Sequence, residues 1–190
     1  NDNLASANRK LELENEQRRR LEAELERQAQ ADPLTNLLNR RGYEAMFESQ
    51  LRQARGSAKP VSLCVLDLDH FKSVNDIYGH DAGDAVLRTV ADVCRQNLRD
   101  RDVVGRLGGE EFVLILPDTG LEEATVIVER LRHAIANTPT MVAGKPLRVT
   151  ATFGITQLQP DDKTLHDLVR RADDALYEGK RSGRNRVQAA

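Results

Sequence analysis

The sequence predicts a mixed α/β (α+β) domain, in which helices surround a central β-sheet, preceded by a long N-terminal helix. A nearly continuous apolar run at residues 61–69 is typical of a central strand that is covered on both faces. Amphipathic helical patterns alternate with strand-length segments along most of the chain. A hairpin pattern at residues 103–116 interrupts this alternation, so we expect a mixed sheet rather than a parallel one.

The N-terminal segment, residues 1–31, contains no Gly or Pro and is rich in Leu, Glu, Arg and Ala, which predicts one long helix. Its leucines follow a heptad spacing that Arg18 interrupts, at Leu4, Leu11 and Leu25. Two interpretations remain open: a solvated helix held by charge pairs, and a weak parallel dimer stalk. Asp32-Pro33 ends this helix, because the residue before proline disfavours the α conformation, and a second domain is predicted over residues 32–190.

The elements of the second domain follow from its turns and periodic patterns. A helix near residues 39–54 leads through a loop into the apolar strand, and Asp84 is expected to cap the next helix. Strands at 103–107 and 112–116 are joined through Gly-Gly-Glu-Glu. The remaining predictions are a helix that Pro139 ends, an alternating strand at 147–155 pairing with 141–143, a last helix that Ser182-Gly183 ends, and a short edge strand at Val187.

Composition limits the class of protein. The chain has 190 residues and a net charge of -2, which argues against a general nucleic-acid binder. Cys64 and Cys94 lie in apolar periodic segments and are expected to be buried free thiols in a reducing compartment. No apolar run approaches the length of a membrane span, and no signal peptide is present. Because the chain begins with Asn, we interpret it as a cytoplasmic fragment of a longer protein, which a membrane segment elsewhere could anchor.

The segment Arg106–Phe112, R-L-G-G-E-E-F, carries an unusual combination of residues between two strands. Glycine allows positive φ and close approach of a ligand to the backbone. Two adjacent carboxylates repel each other unless a positive group offsets them. The combination predicts a place where a polyphosphate and its metal ions bind, and a solvated tight turn is the alternative.

Oxygen ligands are predicted at the end of the central strand. Asp67 and Asp69 are two residues apart, so their side chains point to the same face, and the Leu68 carbonyl lies between them. Carboxylate and carbonyl oxygens suit Mg²⁺ or Mn²⁺. The carboxyl end of a strand is also the usual ligand position in open sheets. The alternative is a strand end that simply enters solvent.

Two further pairs of polar residues suggest nucleotide binding. Asn75 and Asp84 can together donate to and accept from a purine edge, and a carboxylate accepts well from the N1–H and N2 amine of guanine. Lys180 and Arg184 could together hold the phosphates. Helix caps for the first pair, and cations that stabilise a helix C-terminus for the second, are the alternatives.

Taken together, these residues resemble the GGDEF domains of bacterial diguanylate cyclases, with the signature here reading G-G-E-E-F. Five motifs occur in order: D-P-L-T-x-L-L-N-R-R, D-L-D-H-F-K-S-V-N-D, G-H-D-A-G-D, R-L-G-G-E-E-F and A-D-D-A-L-Y-E-G-K-R-S-G-R-N. Asn36 and His70 depart from the commoner residues of the family, and neither is an expected ligand. The resemblance implies a palm-like nucleotidyl-cyclase architecture.

The resemblance also implies roles for individual residues. Two Mg²⁺ or Mn²⁺ ions per active site would be held by Asp67, the Leu68 carbonyl and Glu110, and Glu111 would assist the metal site or the 3′-hydroxyl. GTP would be bound by Phe71, Lys72, Asn75, Asp84, Gly108, Gly109, Lys180 and Arg184. A product-inhibition motif, R-x-x-D, would comprise Arg99 and Asp102, with Arg130 as a secondary position.

The activity implied by the resemblance is the condensation of two GTP into cyclic di-GMP, with release of pyrophosphate, across a homodimer of domains. The product would inhibit the enzyme through the R-x-x-D motif, and an upstream sensor domain would supply the signal. No nucleic-acid partner is expected. The alternatives are a non-catalytic cyclic di-GMP receptor acting through the same motif, and a dimerisation module in which residues 1–31 are the working part.

Overall fold

The computed structural model describes residues 14–19, 29–57 and 59–190. From residue 40 onward the helices are α1 (Arg40–Ser57), α2 (Phe71–Tyr78), α3 (His80–Asn97), α4 (Leu121–Asn137) and α5 (Leu165–Arg181). The strands are β1 (Val61–Leu68), β2 (Val103–Gly108), β3 (Glu111–Pro117), β4 (Thr140–Val142), β5 (Lys145–Leu147), β6 (Ala151–Gln157) and β7 (Val187–Ala189).

The main sheet has the strand order β2-β3-β1-β6-β7, which places β1 at its centre. Strand β1 is antiparallel to both β3 and β6, whereas β6 and β7 are parallel. All eight residues of β1 are buried, as expected of a strand covered on both faces. The predicted mixed sheet with surrounding helices is therefore confirmed.

Alternate residues of β1 belong to two hydrophobic cores. Cys64 and Leu66 pack in the core formed with α2, α3 and α4, whereas Leu63 and Val65 pack in the core formed with α1 and α5. By the two-residue period of a strand, Asp67 projects on the same side as Leu63 and Val65, toward α1 and α5. The first of the two predicted acids therefore lies on the face that α5 covers.

Two predicted boundaries are wrong. Helix α3 begins at His80 with Gly79 at its N-cap, so Asp84 lies within the helix and does not cap it. The strand predicted at 147–155 is divided between β5 and β6, because β4 and β5 form a separate hairpin. Pro146 lacks the amide that a central ladder needs, and Ala143-Gly144 turn with φ of 47° and 77°, which suits a tight hairpin.

Most of the predicted N-terminal stalk lies outside the described residues. Within the stalk, residues 14–19 are described and are helical. Cys64 and Cys94 are both buried and free, as predicted. Burial raises the pKa of the Cys94 thiol to about 12 and that of Cys64 well above its ordinary value. In the part of the chain that the structure describes, no helix has both the length and the apolar character to cross a membrane.

Helix α5 lies directly on the backbone of β6 at Gly154. A Cβ added at Gly154 would stand 1.9 Å from the carbonyl oxygen of Ala172 and 2.4 Å from the amide nitrogen of Leu176. Both are main-chain atoms of α5, which cannot rotate away as a side chain can. The absence of a side chain at this position therefore sets the distance between α5 and the sheet.

We predict that Gly154→Ala destabilises the chain by about 3 kcal/mol, the upper part of the range for overpacking, since α5 must lift from the sheet. Urea unfolding would measure the change. Gly56→Ala is the matched control, because an added Cβ there meets nothing within 4 Å and the position is helical. Alanine at residue 56 is expected to leave stability unchanged or slightly raised. Equal stability of the two variants would contradict the close approach.

Candidate active site

The site is built around the C-terminal end of β1. Asp67 is only 8% exposed and lies opposite Glu111 of β3 and Thr152 of β6 in the strand register. Lys180, in the last turn of α5, places its Nζ 2.9 Å from Oδ2 of Asp67. The structure thus brings together an acid of the central strand, an acid of the hairpin and a cation of the last helix.

Negative charge accumulates around this strand end. Partial removal of the Glu111 carboxyl from water raises its pKa, and the nearby charges of Asp67 and Asp173 raise it further. Lys180 acts in the opposite direction, and Glu110 adds to the repulsion. Three carboxylates therefore act on that of Glu111, with Lys180 opposing them, and this excess of negative charge favours the binding of cations.

Divalent ions suit this site by donor type and charge. The amide of Leu68 donates to the Glu110 carbonyl at 3.4 Å, which places Leu68 beside Glu110. The Asp67 carboxylate, the Leu68 carbonyl and the Glu110 carboxylate are the hard oxygen donors that Mg²⁺ and Mn²⁺ prefer. Within the described ranges, no three Asp, Glu, His or Cys side chains already converge on one point. Instead, Asp67 is paired with the ammonium of Lys180.

The Gly-Gly-Glu-Glu turn is both open and anchored. Gly108 and Gly109 have φ of 150° and 53°, and an added Cβ at either would meet nothing within 4 Å, so a ligand has room to lie across them. Arg106 donates to the Gly109 carbonyl oxygen from Nε at 3.1 Å and from Nη2 at 2.7 Å. Its Nη1 also donates to Oδ1 of Asp32 at 3.1 Å. Arg106 therefore ties the turn to the D-P-L-T segment.

Within the D-P-L-T segment, Asp32 accepts hydrogen bonds from Thr35 and Arg106. Burial acts to raise the pKa of Asp32, but hydrogen bonds from Thr35 and Arg106 outweigh that effect and lower it. The pairing of Arg106 with Asp32 was not predicted from the sequence. The available signals were the charge directly before Leu-Gly-Gly and the acid directly before a proline.

The predicted purine-binding residues, Asn75 and Asp84, come from two consecutive helices. A Cβ added at Gly83 would stand 2.0 Å from Oδ1 of Asn75, so the Asn75 side chain lies against the backbone next to Asp84. Asp84 is partly exposed, with Nη2 of Arg88 at 3.8 Å from its Oδ2. Gly83 is a residue whose role was missed, and its signal was a glycine inside a helical pattern.

The predicted phosphate-binding residues differ in their exposure and in their contacts within the chain. Lys72 and Arg184 are exposed, in α2 and in the turn after α5, whereas Lys180 is paired with Asp67. The Phe71 side chain is 6% exposed and belongs to the core, so its backbone is the part available to a ligand. Its amide lies in the first turn of α2, where helix amides have no partner within the helix.

Asp69, the other acid at the end of β1, is not part of the cluster of acidic residues around Asp67. Both of its carboxylate oxygens accept hydrogen bonds from neighbouring residues: Thr150 Oγ1 at 2.7 Å, Thr152 Oγ1 at 2.6 Å and the Asn185 amide at 3.0 Å. Of the two acids that share a face in the sequence pattern, only Asp67 remains a candidate metal ligand.

The R-x-x-D residues lie apart from this site, in the loop between α3 and β2. Asp102 accepts from the Arg99 amide at 2.9 Å, and its Oδ1 is buried without a hydrogen-bond partner among the described residues. Arg99 also pairs with Glu123 of α4 at 2.9 Å, and Arg130 of α4 donates to the Asn97 carbonyl. The structure thus brings all three predicted inhibitory residues to one surface, which β2 connects to the Gly-Gly-Glu-Glu turn over about 20 Å.

Comparison with known proteins yields relatives that match most of this chain. DgcP of Pseudomonas aeruginosa, a diguanylate cyclase, is 43% identical over 162 residues, which are 85% of this chain and 24% of that protein. PleD of Caulobacter vibrioides, a response regulator, is 42% identical over 161 residues, which are 84% of this chain and 36% of that protein. The chain therefore spans less than half the length of these two relatives.

Solved structures agree with the sequence relatives. The crystal structure of the coiled coil and GGDEF domain of DgcB from Caulobacter crescentus, in complex with c-di-GMP, superposes with a TM-score of 0.88 at 32% identity. That match covers 98% of this chain and 99% of the DgcB chain. The sequence profile described as "Diguanylate cyclase, GGDEF domain" matches residues 29–186. The chain therefore belongs to the GGDEF domain family of diguanylate cyclases.

Proposed function

We propose that this chain condenses two GTP into cyclic di-GMP and releases two pyrophosphates. The observation that carries the proposal is the meeting of Asp67, the Glu110–Glu111 turn and Lys180 at one strand end. Asn75 and Asp84 come from the two helices that follow β1, with Asn75 packed against Gly83, and this pair suits a guanine base. The relatives named as diguanylate cyclases support the same activity.

Base recognition is assigned to Asn75 and Asp84. The Asp84 carboxylate accepts from N1–H and the N2 amine of guanine, a pair of donors that adenine lacks. Asn75 completes the contact with its amide, which Gly83 allows to lie close to α3. Lys72, Lys180 and Arg184 contribute positive charge for the triphosphate. Lys180 has to exchange part of its contact with Asp67 for the phosphates.

The reaction forms one bond and breaks one bond at each α-phosphorus. The 3′-oxygen of one GTP attacks the α-phosphorus of the other, the bond from that phosphorus to the bridging oxygen breaks, and pyrophosphate leaves. The 3′-hydroxyl loses its proton, and Glu111, the carboxylate opposite Asp67 in the strand register, is the group proposed to accept it. Two divalent ions, held by Asp67, the Leu68 carbonyl and Glu110, would neutralise charge on the phosphates and acidify the hydroxyl.

Each domain supplies half of the reacting pair, so we propose a homodimer in which two bound GTP face each other. Orientation of two substrates lowers the barrier by several kcal/mol. The segment 1–31 is proposed as the stalk that aligns the two domains, under the control of an upstream sensor. Product would inhibit by binding Arg99, Asp102 and Arg130, and the loop that holds Arg99 and Asp102 leads through β2 to the catalytic turn.

The first prediction from the proposed function concerns turnover. Asp67→Ala and Glu110→Ala are each expected to lower the rate of cyclic di-GMP formation on the order of 100-fold, since each removes a carboxylate proposed to hold the divalent ions that stabilise the reacting phosphates. The assay follows the cyclic product from GTP and Mg²⁺ at several protein concentrations. A rate that rises faster than linearly with protein concentration is expected of a dimer.

The control for turnover is Glu122→Ala, which removes an exposed carboxylate from the first turn of α4 and should leave the rate unchanged. Full turnover in Asp67→Ala and Glu110→Ala would overturn the metal assignment. Absence of cyclic product with the unaltered chain would overturn the proposed activity of this chain itself.

The second prediction concerns the effect of Glu111 on how the stability of the chain changes with pH. Because its folded pKa is raised, the metal-free chain should lose stability as pH rises from about 4.5, the ordinary pKa, through the folded value. Glu111→Gln removes this loss, so the variant should be more stable than the unaltered chain at pH 7 and equal to it at low pH. Thermal unfolding measures both.

Mg²⁺ alone should reverse that order. At pH 7 it is expected to raise the melting temperature of the unaltered chain more than that of Glu111→Gln, and to act weakly near pH 4, where the carboxylates are protonated. Glu122→Gln should respond to Mg²⁺ like the unaltered chain. A melting temperature that Mg²⁺ leaves unmoved at pH 7 would contradict a cation site at this strand end.

The third prediction concerns inhibition. Arg99→Ala should keep turnover but weaken inhibition by added cyclic di-GMP at least about 10-fold, because one charge-assisted contact to the dinucleotide is lost. Inhibition curves at fixed GTP provide the measurement. Arg101→Ala, in the same loop but outside the motif, is the matched control. If both variants are inhibited as strongly as the unaltered chain, the inhibitory site lies elsewhere.

A further inference from the structure

The turn that follows α5 is held from two sides at Asn185. Its backbone amide donates to Oδ2 of Asp69 at 3.0 Å and to Oγ1 of Thr152 at 3.1 Å. Its side-chain Oδ1 accepts from Nη1 of Arg132 at 2.8 Å. One anchor, Asp69, directly follows β1, and the other, Arg132, lies in α4. The turn therefore connects the end of the central strand to α4.

The backbone of this turn needs such anchors. Arg184 and Asn185 have φ of 60° and 45°, so two consecutive residues with side chains adopt the left-handed conformation. Each costs free energy that surrounding contacts must offset. The Arg184 amide donates to the Gly179 carbonyl at 3.2 Å, which closes the end of α5. Because Asn185 is fixed immediately after Arg184, the position from which the Arg184 side chain departs is fixed as well.

Both anchors are themselves well ordered by their neighbours. The Asp69 side chain is buried and accepts from the hydroxyls of Thr150 and Thr152. The Arg132 side chain is 14% exposed, and its Nε donates to Oε2 of Glu129 at 2.8 Å. Neither Asp69 nor Arg132 belongs to the cluster of acidic residues around Asp67. Their contacts converge on Asn185 instead.

We infer that Asp69 and Arg132 are positioning residues that hold the Arg184–Asn185 turn so that Arg184 binds the triphosphate of GTP. This inference rests on the proposed function, in which Arg184 is a phosphate ligand. Neither residue touches substrate. The competing explanation is that both merely stabilise the C-terminal strand β7, which begins two residues after Asn185.

A thermodynamic cycle between Arg132 and Arg184 separates these explanations. GTP and GMP binding to the full chain are measured by calorimetry for the unaltered chain, Arg132→Ala, Arg184→Ala and the double variant. Arg132→Ala should weaken GTP binding about 5- to 10-fold, as expected for one lost hydrogen bond to a positioning contact, and leave GMP binding unchanged. In the Arg184→Ala background, Arg132→Ala should have no further effect on GTP.

Three more variants keep the test independent of folding. Asn185→Ala removes the same hydrogen bond from its exposed end, and should reproduce the GTP-specific loss if Arg132→Ala unfolds. Arg170→Ala removes an exposed arginine of α5 and should bind both nucleotides normally. Asp69→Asn should also weaken GTP more than GMP.

The outcomes are distinct. Equal loss of GTP and GMP affinity, or a loss from Arg132→Ala that adds fully to that of Arg184→Ala, would overturn the positioning role while leaving the proposed function intact. Failure of the unaltered chain to bind GTP would overturn the proposed function, and the inference with it.

Discussion

The mutual repulsion of the carboxylates at the end of β1 is the constraint on which the rest of the site depends. Asp67 is nearly buried, and Glu111 lies across from it in the sheet. Lys180 is the cation that makes this arrangement tolerable, and an ion pair partly withdrawn from water is stronger than one on the surface. Lys180 reaches Asp67 because α5 lies on the bare backbone at Gly154. The same helix then delivers the Arg184 turn.

Much of the fold was readable from the sequence because it rests on local periodicity. The continuous apolar run predicted the central strand, and the helical patterns predicted the surrounding layers. Two boundaries failed for physical reasons. An aspartate is favoured both at a helix cap and in the first turns, so Asp84 did not mark the start of α3. The alternating pattern through residue 155 did not reveal that the strand breaks after Leu147, where β5 leaves the hairpin sheet and the chain enters β6 of the main sheet.

The site was only partly readable, because its geometry depends on residues distant in sequence. Asp67, Asn75, Asp84 and Lys180 were predicted as site residues from motif and chemistry, yet the pairing of Asp67 with Lys180 follows from the packing of α5. Asp32 and Arg106 are 74 residues apart, and Asp69 and Asn185 are 116 apart. No periodic pattern reports such contacts. The roles of Gly83 and Gly154 were likewise not predicted, since what matters is the atom that each glycine leaves room for.

The dispersed origin of the site has a consequence for folding. The β2–β3 hairpin and β1 can bring Glu111 and Asp67 together while α5 is still undocked, since their contacts close shorter loops. Such an intermediate would concentrate acids without Lys180 or the Arg184 turn. It would attract cations but would not retain a triphosphate. Under the proposed function, nucleotide affinity would therefore report the long-range contact of α5 with β1, and ligand binding would select the fully folded chain.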